Sequence, residues 1–239
     1  MIYLKKLLFV FVPVLICFVL FFSSFVIKEN IGYVNTSASN ILPVIIIDAG
    51  HGGFDGGAST ADGFPEKDIN LSISLYLKDY LELYGFKTIL TRSSDASLED
   101  DGLTTIRKKK TSDIHNRMKI MSETDNAVFL SIHQNFYPVE KYSGMQVFYS
   151  PNFSEESSLL AQNIQETVTQ TLQPNNERQI KKCGTSVFLI YNAVKTAVLV
   201  ECGFLSNIEE TNLLKSDVYQ RKIAYCISLG IFNYVNSKE

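Results

Sequence analysis

From residue 43 onward, short apolar runs alternate with stretches whose apolar residues recur every three or four positions, and that alternation sets the fold class. The runs at 44–48, 86–92, 127–132, 144–150, 186–191 and 197–201 are short and rich in Val, Ile, Leu and Phe, as strands are. Between them, Ile69, Ile73, Leu77 and Leu81 predict a helix over 66–83, with Pro65 at its start and Gly85 just past its end. Ile114, Met118 and Met121 suggest a short helix, after a polar loop over 93–111. Leu160, Ile164, Val168 and Leu172 mark a third helix, and Ile223, Ile227 and Ile231 mark the last. Ser206 followed by Glu209 reads as a capping box opening a helix near 207–215. The expectation is a single α/β domain over 43–236, with a mixed, twisted sheet of about six strands flanked by helices.

A different segment precedes this domain. Residues 7–27 are apolar and uncharged, and Lys5 and Lys6 stand before them. About 20 apolar residues span a bilayer as a helix, whereas the apolar region of a signal peptide runs about 7–15. Residues 1–28 are therefore expected to be an N-terminal membrane helix, whose flanking lysines place the rest of the chain outside. Pro13 is tolerated in such a helix. The rival reading is a signal segment cleaved near Thr36-Ser37-Ala38, and it exports the chain equally. Residues 29–42, small and polar, read as a linker.

Composition removes several function classes. Lys and Arg total 22 against 25 Asp and Glu, which argues against a nucleic-acid partner. The one basic cluster, Arg107-Lys108-Lys109-Lys110, reads as solvated surface. Cys17 lies in the apolar segment, and Cys183, Cys202 and Cys226 form no CxxC. A zinc–cysteine cluster or a disulfide framework is therefore not expected; one disulfide or buried free thiols remain.

The chemistry gathers at strand ends, where open α/β sheets place their sites. The run 44–48 delivers His51, the run 127–132 delivers His133, 197–201 ends in Glu201, and Glu66 opens a helix. His, Glu and His can supply three ligands to one zinc ion and leave the fourth position open, the catalytic arrangement. Zinc brings the pKa of water toward about 7, and a carboxylate must then carry the proton. Glu201 suits that role, because its apolar lead-in AVLV raises a carboxyl pKa. The glycines around His51 let the chain turn so that the imidazole faces a metal. Asp48 reads either as an orienting group for a ligand histidine or as a turn residue.

Plainer readings stand beside these. A lone histidine after a strand is commonly structural, Glu66 suits the first turn of any helix, and Glu201 could pair with Arg92 or Arg117. Cys202 with His133 is a conceivable nucleophilic pair, and His115 reads as an ordinary residue of a polar helix. A phosphate loop fails, because no Gly-Lys-Ser/Thr follows and the third dinucleotide-fingerprint glycine is missing.

IDAGHGGFDGGA at 47–58, EKDINL at 66–71, TR at 91–92, FLSIHQN at 129–135 and VLVECGFLSN at 198–207 together resemble the successive motifs of the zinc-dependent N-acetylmuramoyl-L-alanine amidases. The resemblance covers roughly 43–236. It implies hydrolysis of the amide between muramic acid and the stem peptide of peptidoglycan. It also implies one Zn2+ on His51, Glu66 and His133, with Glu201 as the catalytic glutamate. Gln134 departs from the pattern, which carries a small residue there; its expected effect is on substrate fit rather than on metal binding.

A short single-domain form with an N-terminal apolar segment and no wall-binding repeats, together with TIRKKKTSDIHNR at 105–117, is similar to the germination-specific amidases of spore formers. That subgroup implies action on spore cortex, at the outer face of a cell or forespore membrane. It also implies a step ahead of a muramic acid deacetylase and of muramic-δ-lactam formation, and leaves room for a partner protein in activation or targeting. The alternatives are a zinc peptidase or deacetylase of the wall, and a non-enzymatic, membrane-tethered wall-binding protein.

Overall fold

The computed structural model describes residues 42–238. The expected membrane segment, residues 1–28, and all of the linker except residue 42 lie outside the described residues. Among those described, no helix is long and apolar enough to cross a membrane.

Among the described residues, six strands and six helices follow in order: β1 (Val44–Ala49), α1 (Glu66–Leu83), β2 (Thr88–Leu90), α2 (Ile106–Glu123), β3 (Ala127–Asn135), β4 (Gln146–Tyr149), α3 (Ser154–Thr171), β5 (Lys181–Lys182), α4 (Phe188–Tyr191), β6 (Thr196–Phe204), α5 (Ile208–Leu214) and α6 (Asp217–Asn236). The sheet order is β2-β1-β3-β6-β4-β5. The strands β2, β1, β3 and β6 run parallel; β4 is antiparallel to β6, and β5 is parallel to β4. The sheet is therefore mixed.

Continuous apolar runs, rather than alternating ones, follow from helices on both faces. Ile45, Ile47, Leu130, Ile132, Val198 and Val200 pack against α1, α3 and α6. Ile46, Phe129, Ala197 and Leu199 point the other way, toward Met121 of α2 and Ile190 of α4. The two layers of helices leave the carboxyl edge of the parallel strands open.

Three local expectations are corrected. The run 186–191 is not a strand: Phe188–Tyr191 is a single helical turn that buries Ile190 and leaves Phe188 and Tyr191 exposed. A short apolar run does not by itself distinguish the two states, and only one side of this one meets the core. The sixth strand is instead the exposed pair Lys181–Lys182. The polar stretch to 111 is already helical from Ile106, where the Thr105 hydroxyl accepts from the Lys108 N–H at 3.3 Å. Apolar periodicity is faint there because α2 buries only Arg117 and Met121.

The cap of α5 falls one residue later than expected. Asn207 Oδ1 accepts from Glu210 N at 2.9 Å, and the Glu210 carboxylate accepts from Phe204 N at 2.7 Å and Gly144 N at 2.8 Å. The cysteines Cys183, Cys202 and Cys226 are buried free thiols.

The helices α3 and α6 cross closely at Gly230, where an added Cβ would lie 2.7 Å from the Ile164 Cα. Gly230→Ala should therefore lower stability by about 1–3 kcal/mol through overpacking, despite the better helix propensity of alanine. A urea unfolding curve measures this.

Candidate functional site

Strand alternation aims the site as well as the core. Along the face shared by Ile46, Phe129 and Ala197, the next residues are Asp48, Ser131 and Leu199, and beyond them His133 and Glu201, which are directly paired between β3 and β6. An apolar face thus becomes polar at its carboxyl end. His51 follows the end of β1 in a left-handed backbone conformation, φ 61°. Glu66, 3% exposed, is the first residue of α1.

These side chains converge. Glu66 Oε2 lies 3.2 Å from His51 Nε2, and Oε1 lies 3.0 Å from His133 Nδ1; the two imidazole centroids are 4.9 Å apart. One donor atom each from His51, Glu66 and His133 falls within a 4.8 Å span, so the three could hold a metal ion. The Glu66 carboxylate also accepts from Ala58 N at 2.9 Å, Asn70 Nδ2 at 3.0 Å and Gln134 N at 3.0 Å. Burial pushes the Glu66 carboxyl up, but His133 and His51 outweigh it and hold it far below the usual carboxylate range.

Space for the two rings comes from glycines. A Cβ on Gly50 would sit 2.3 Å from His133 Nε2, and one on Gly57 would sit 2.6 Å from Glu66 Oε2. Gly50 is therefore less a hinge than a gap into which the His133 ring fits.

His51 tests whether a metal suits the site. Its Nδ1 lies 2.9 Å from Asp55 Oδ2 while its Nε2 faces Glu66, so both ring nitrogens meet carboxylates. Neutral imidazole donates from only one nitrogen, and a carboxylate only accepts. A positive charge is needed between His51 and Glu66. With a proton there, burial lowers the pKa while Asp55 and Glu66 raise it more, to about 9. Two imidazole nitrogens and a carboxylate oxygen around one point also match a catalytic zinc site with a position to spare, so the donor set fits.

Two buried arginines hold the loop that carries His51. Arg117 donates to Ala49 O at 3.0 Å and His51 O at 2.8 Å, and Arg92 donates to Ala49 O at 2.9 Å and Gly50 O at 2.9 Å. Asp48 joins this frame. It is 1% exposed and accepts from Arg117 Nη1 at 2.5 Å, Thr91 Oγ1 at 2.9 Å and Ser131 Oγ at 2.6 Å. It bonds to no histidine, so neither the orienting nor the simple turn reading holds. Burial opposes its ionisation, but Arg117 and Ser131 keep its pKa low.

Glu201 pairs with neither Arg92 nor Arg117, whose guanidinium groups are committed elsewhere. Its Oε2 is sealed from solvent and has no hydrogen-bond partner among the described residues. Burial pushes its pKa up to about 7, against the pull of His133 and with a push from Glu66. It borders a cleft of about 290 Å³ shared with His51, His133, Arg117, Phe188 and Ile190.

Cys202 is fully buried one residue along β6, on the opposite face from His133, and burial followed by Glu201 raises its thiol pKa. It is no nucleophile. Gln134 likewise points away from the cleft: it is 4% exposed, and its Nε2 donates to Asn70 Oδ1 at 3.1 Å. Its expected influence on substrate fit is therefore corrected; it reaches Asn70, which in turn donates to Glu66.

His115 packs against Phe188, with centroids 5.8 Å apart. The basic run is only partly free surface: Lys110 Nζ lies 2.9 Å from Asp55 Oδ1, and Lys109 sits 5.5 Å from the Phe54 ring centroid. Asp55 is marked in the sequence only by its place four residues after His51 in a glycine-rich loop.

Comparison with known proteins covers most of the chain. Residues 45–233 match the family model described as N-acetylmuramoyl-L-alanine amidase. The germination-specific N-acetylmuramoyl-L-alanine amidase of Bacillus subtilis (strain 168) is 36% identical over 195 residues, 82% of this chain and 81% of that protein. The CwlD amidase from Clostridioides difficile, solved in complex with the GerS lipoprotein, superposes with a TM-score of 0.79. It shares 40% identity and covers 82% of this chain and 99% of that one. The N-acetylmuramoyl-L-alanine amidase AmiC2 of Nostoc punctiforme gives a TM-score of 0.67 at 26% identity, over 81% of this chain and 97% of that one.

Two substitutions test the frame. Gly50→Ala should displace the His133 ring and weaken any metal binding at the three donors by about tenfold or more, read with Zn2+ as the probe in competition with a chromophoric chelator. Arg117→Met should strand the buried Asp48 carboxylate and lower stability by about 3–5 kcal/mol in urea unfolding.

Proposed function

The chain belongs to the N-acetylmuramoyl-L-alanine amidase family, which hydrolyses the amide between muramic acid and the stem peptide of peptidoglycan, and we propose that it does so with one zinc ion held by His51, Glu66 and His133 and with Glu201 moving the proton. The observation that carries this reading is the Glu66 carboxylate set between two imidazoles, with the unpartnered Oε2 of Glu201 across the strand pair from His133.

Zinc bound there supplies Lewis-acid polarisation of the lactyl carbonyl and acidifies water. The protein supplies the rest. Glu201, whose carboxyl burial makes more basic than an exposed one, takes the proton of the attacking water as the new C–O bond forms. It then delivers that proton to the amide nitrogen as the C–N bond breaks, leaving a lactyl carboxylic acid and the L-alanine amine, between which the remaining water proton passes to give carboxylate and ammonium. Val187, Leu189 and Ile190 wall the cleft with apolar surface beside Glu201. Arg117 and Arg92 keep His51 in place by holding the carbonyls around it.

Likeness to the germination-specific amidase and to CwlD supports spore cortex as the substrate, ahead of a muramic acid deacetylase. Because CwlD was solved with a lipoprotein, a partner of that kind is proposed for this chain too. Export is proposed on the apolar residues 7–27, as an anchored or a cleaved form, with 43–236 as the catalytic domain.

Mass spectrometry of peptidoglycan digests tests the reaction. The wild-type protein should release free stem peptides and leave bare muramic acid; cleavage within the peptide or loss of N-acetyl groups would mean a peptidase or a deacetylase. Glu201→Ala should keep zinc, by elemental analysis, and lose about 10²–10⁴-fold in rate. His51→Ala should lose the metal. Full activity in Glu201→Ala would overturn the proton-carrying role.

A further inference from the structure

The loop that bears His51 carries a second carboxylate with no place in the reaction above. Asp55 is closed onto Gly52 by two backbone hydrogen bonds, Gly52 N to Asp55 O at 2.9 Å and Asp55 N to Gly52 O at 3.0 Å. This small ring turns the Asp55 side chain back onto the imidazole four residues earlier, where Oδ2 meets His51 Nδ1 at 2.9 Å. The other oxygen, Oδ1, meets Lys110 Nζ at 2.9 Å and, more distantly, Gly57 N at 3.4 Å. Lys110 belongs to α2, so this contact ties the loop to a neighbouring helix.

The chemistry of the two ring nitrogens gives the carboxylate a task. A carboxylate accepts and cannot donate, so an imidazole bonded to it through Nδ1 must carry its proton there. The proton at Nδ1 leaves the lone pair at Nε2, and Nε2 is the nitrogen that faces Glu66. We propose that Asp55 is a positioning residue: by accepting from Nδ1 it fixes the tautomer and the ring angle of His51 that present Nε2 to a metal ion. Lys110 holds the loop to α2 but does not itself set the tautomer.

The inference rests on the metal reading of His51, Glu66 and His133, and the test separates the two. Zn2+ alone is titrated into the full chain against a chromophoric chelator, with thermal unfolding run in parallel. Asp55→Ala should bind Zn2+ about 10–100-fold more weakly, the usual consequence of removing a carboxylate behind a ligand histidine. Asp55→Asn keeps an oxygen that can accept from Nδ1 and should recover part of that loss. Lys110→Met, which removes the tie to α2 and leaves the carboxylate, should stay within about threefold of wild type.

Wild-type binding in Asp55→Ala would overturn the proposal. So would Asn binding no better than Ala, or Lys110→Met falling as far as Asp55→Ala, which would make Asp55 only a post for the loop. A wild-type chain that binds no Zn2+ would instead overturn the metal reading on which the proposal stands.

Discussion

The site depends on what happens to three carbonyl groups where β1 runs out. Ala49, Gly50 and His51 turn their oxygens inward beyond the last ladder bonds, and two buried guanidinium groups accept the duty of donating to them. An unmet buried carbonyl is costly, so the chain must keep both arginines to keep this turn. Arg117 in turn needs an anion, and Asp48 supplies it from inside the same strand. Arg92 has no carboxylate in contact among the described residues, and burial with the nearby Arg117 lowers its pKa. One charge is thus neutralised by pairing, while the other is carried by backbone dipoles.

That frame explains why the glycines cannot be read as simple flexibility. His51 itself adopts the left-handed conformation at φ 61°, a strain that non-glycine residues accept only when the surroundings over-determine it. Gly50 and Gly57 are small because the His133 ring and the Glu66 carboxylate occupy the room a methyl group would need. Loop shape and side-chain convergence are therefore one constraint, met by packing as much as by backbone freedom.

Much of this was legible from the residues. Helix 66–83 could be read to the residue because its apolar face is regular, and His51, Glu66, His133 and Glu201 stood out because strand ends and a helix start delivered them. Other features could not be read, for physical reasons. The partnership of Asp48 with Arg117 spans 69 residues and leaves no local trace. The turn at Phe188–Tyr191 has a strand-like composition, yet it buries only Ile190 and leaves Phe188 and Tyr191 exposed, an outcome the apolar run does not announce. Gln134 was within reach: strand alternation alone places it on the α1 face, away from its neighbour His133.

The direction of β1 has a further consequence. The strand enters from Leu42 at one edge of the sheet and hands over His51 at the other, and six residues of strand at about 3.3 Å each separate these ends by about 20 Å. Leu42 and the cleft therefore lie at opposite ends of the same strand, so the point where the described chain begins is kept clear of the site.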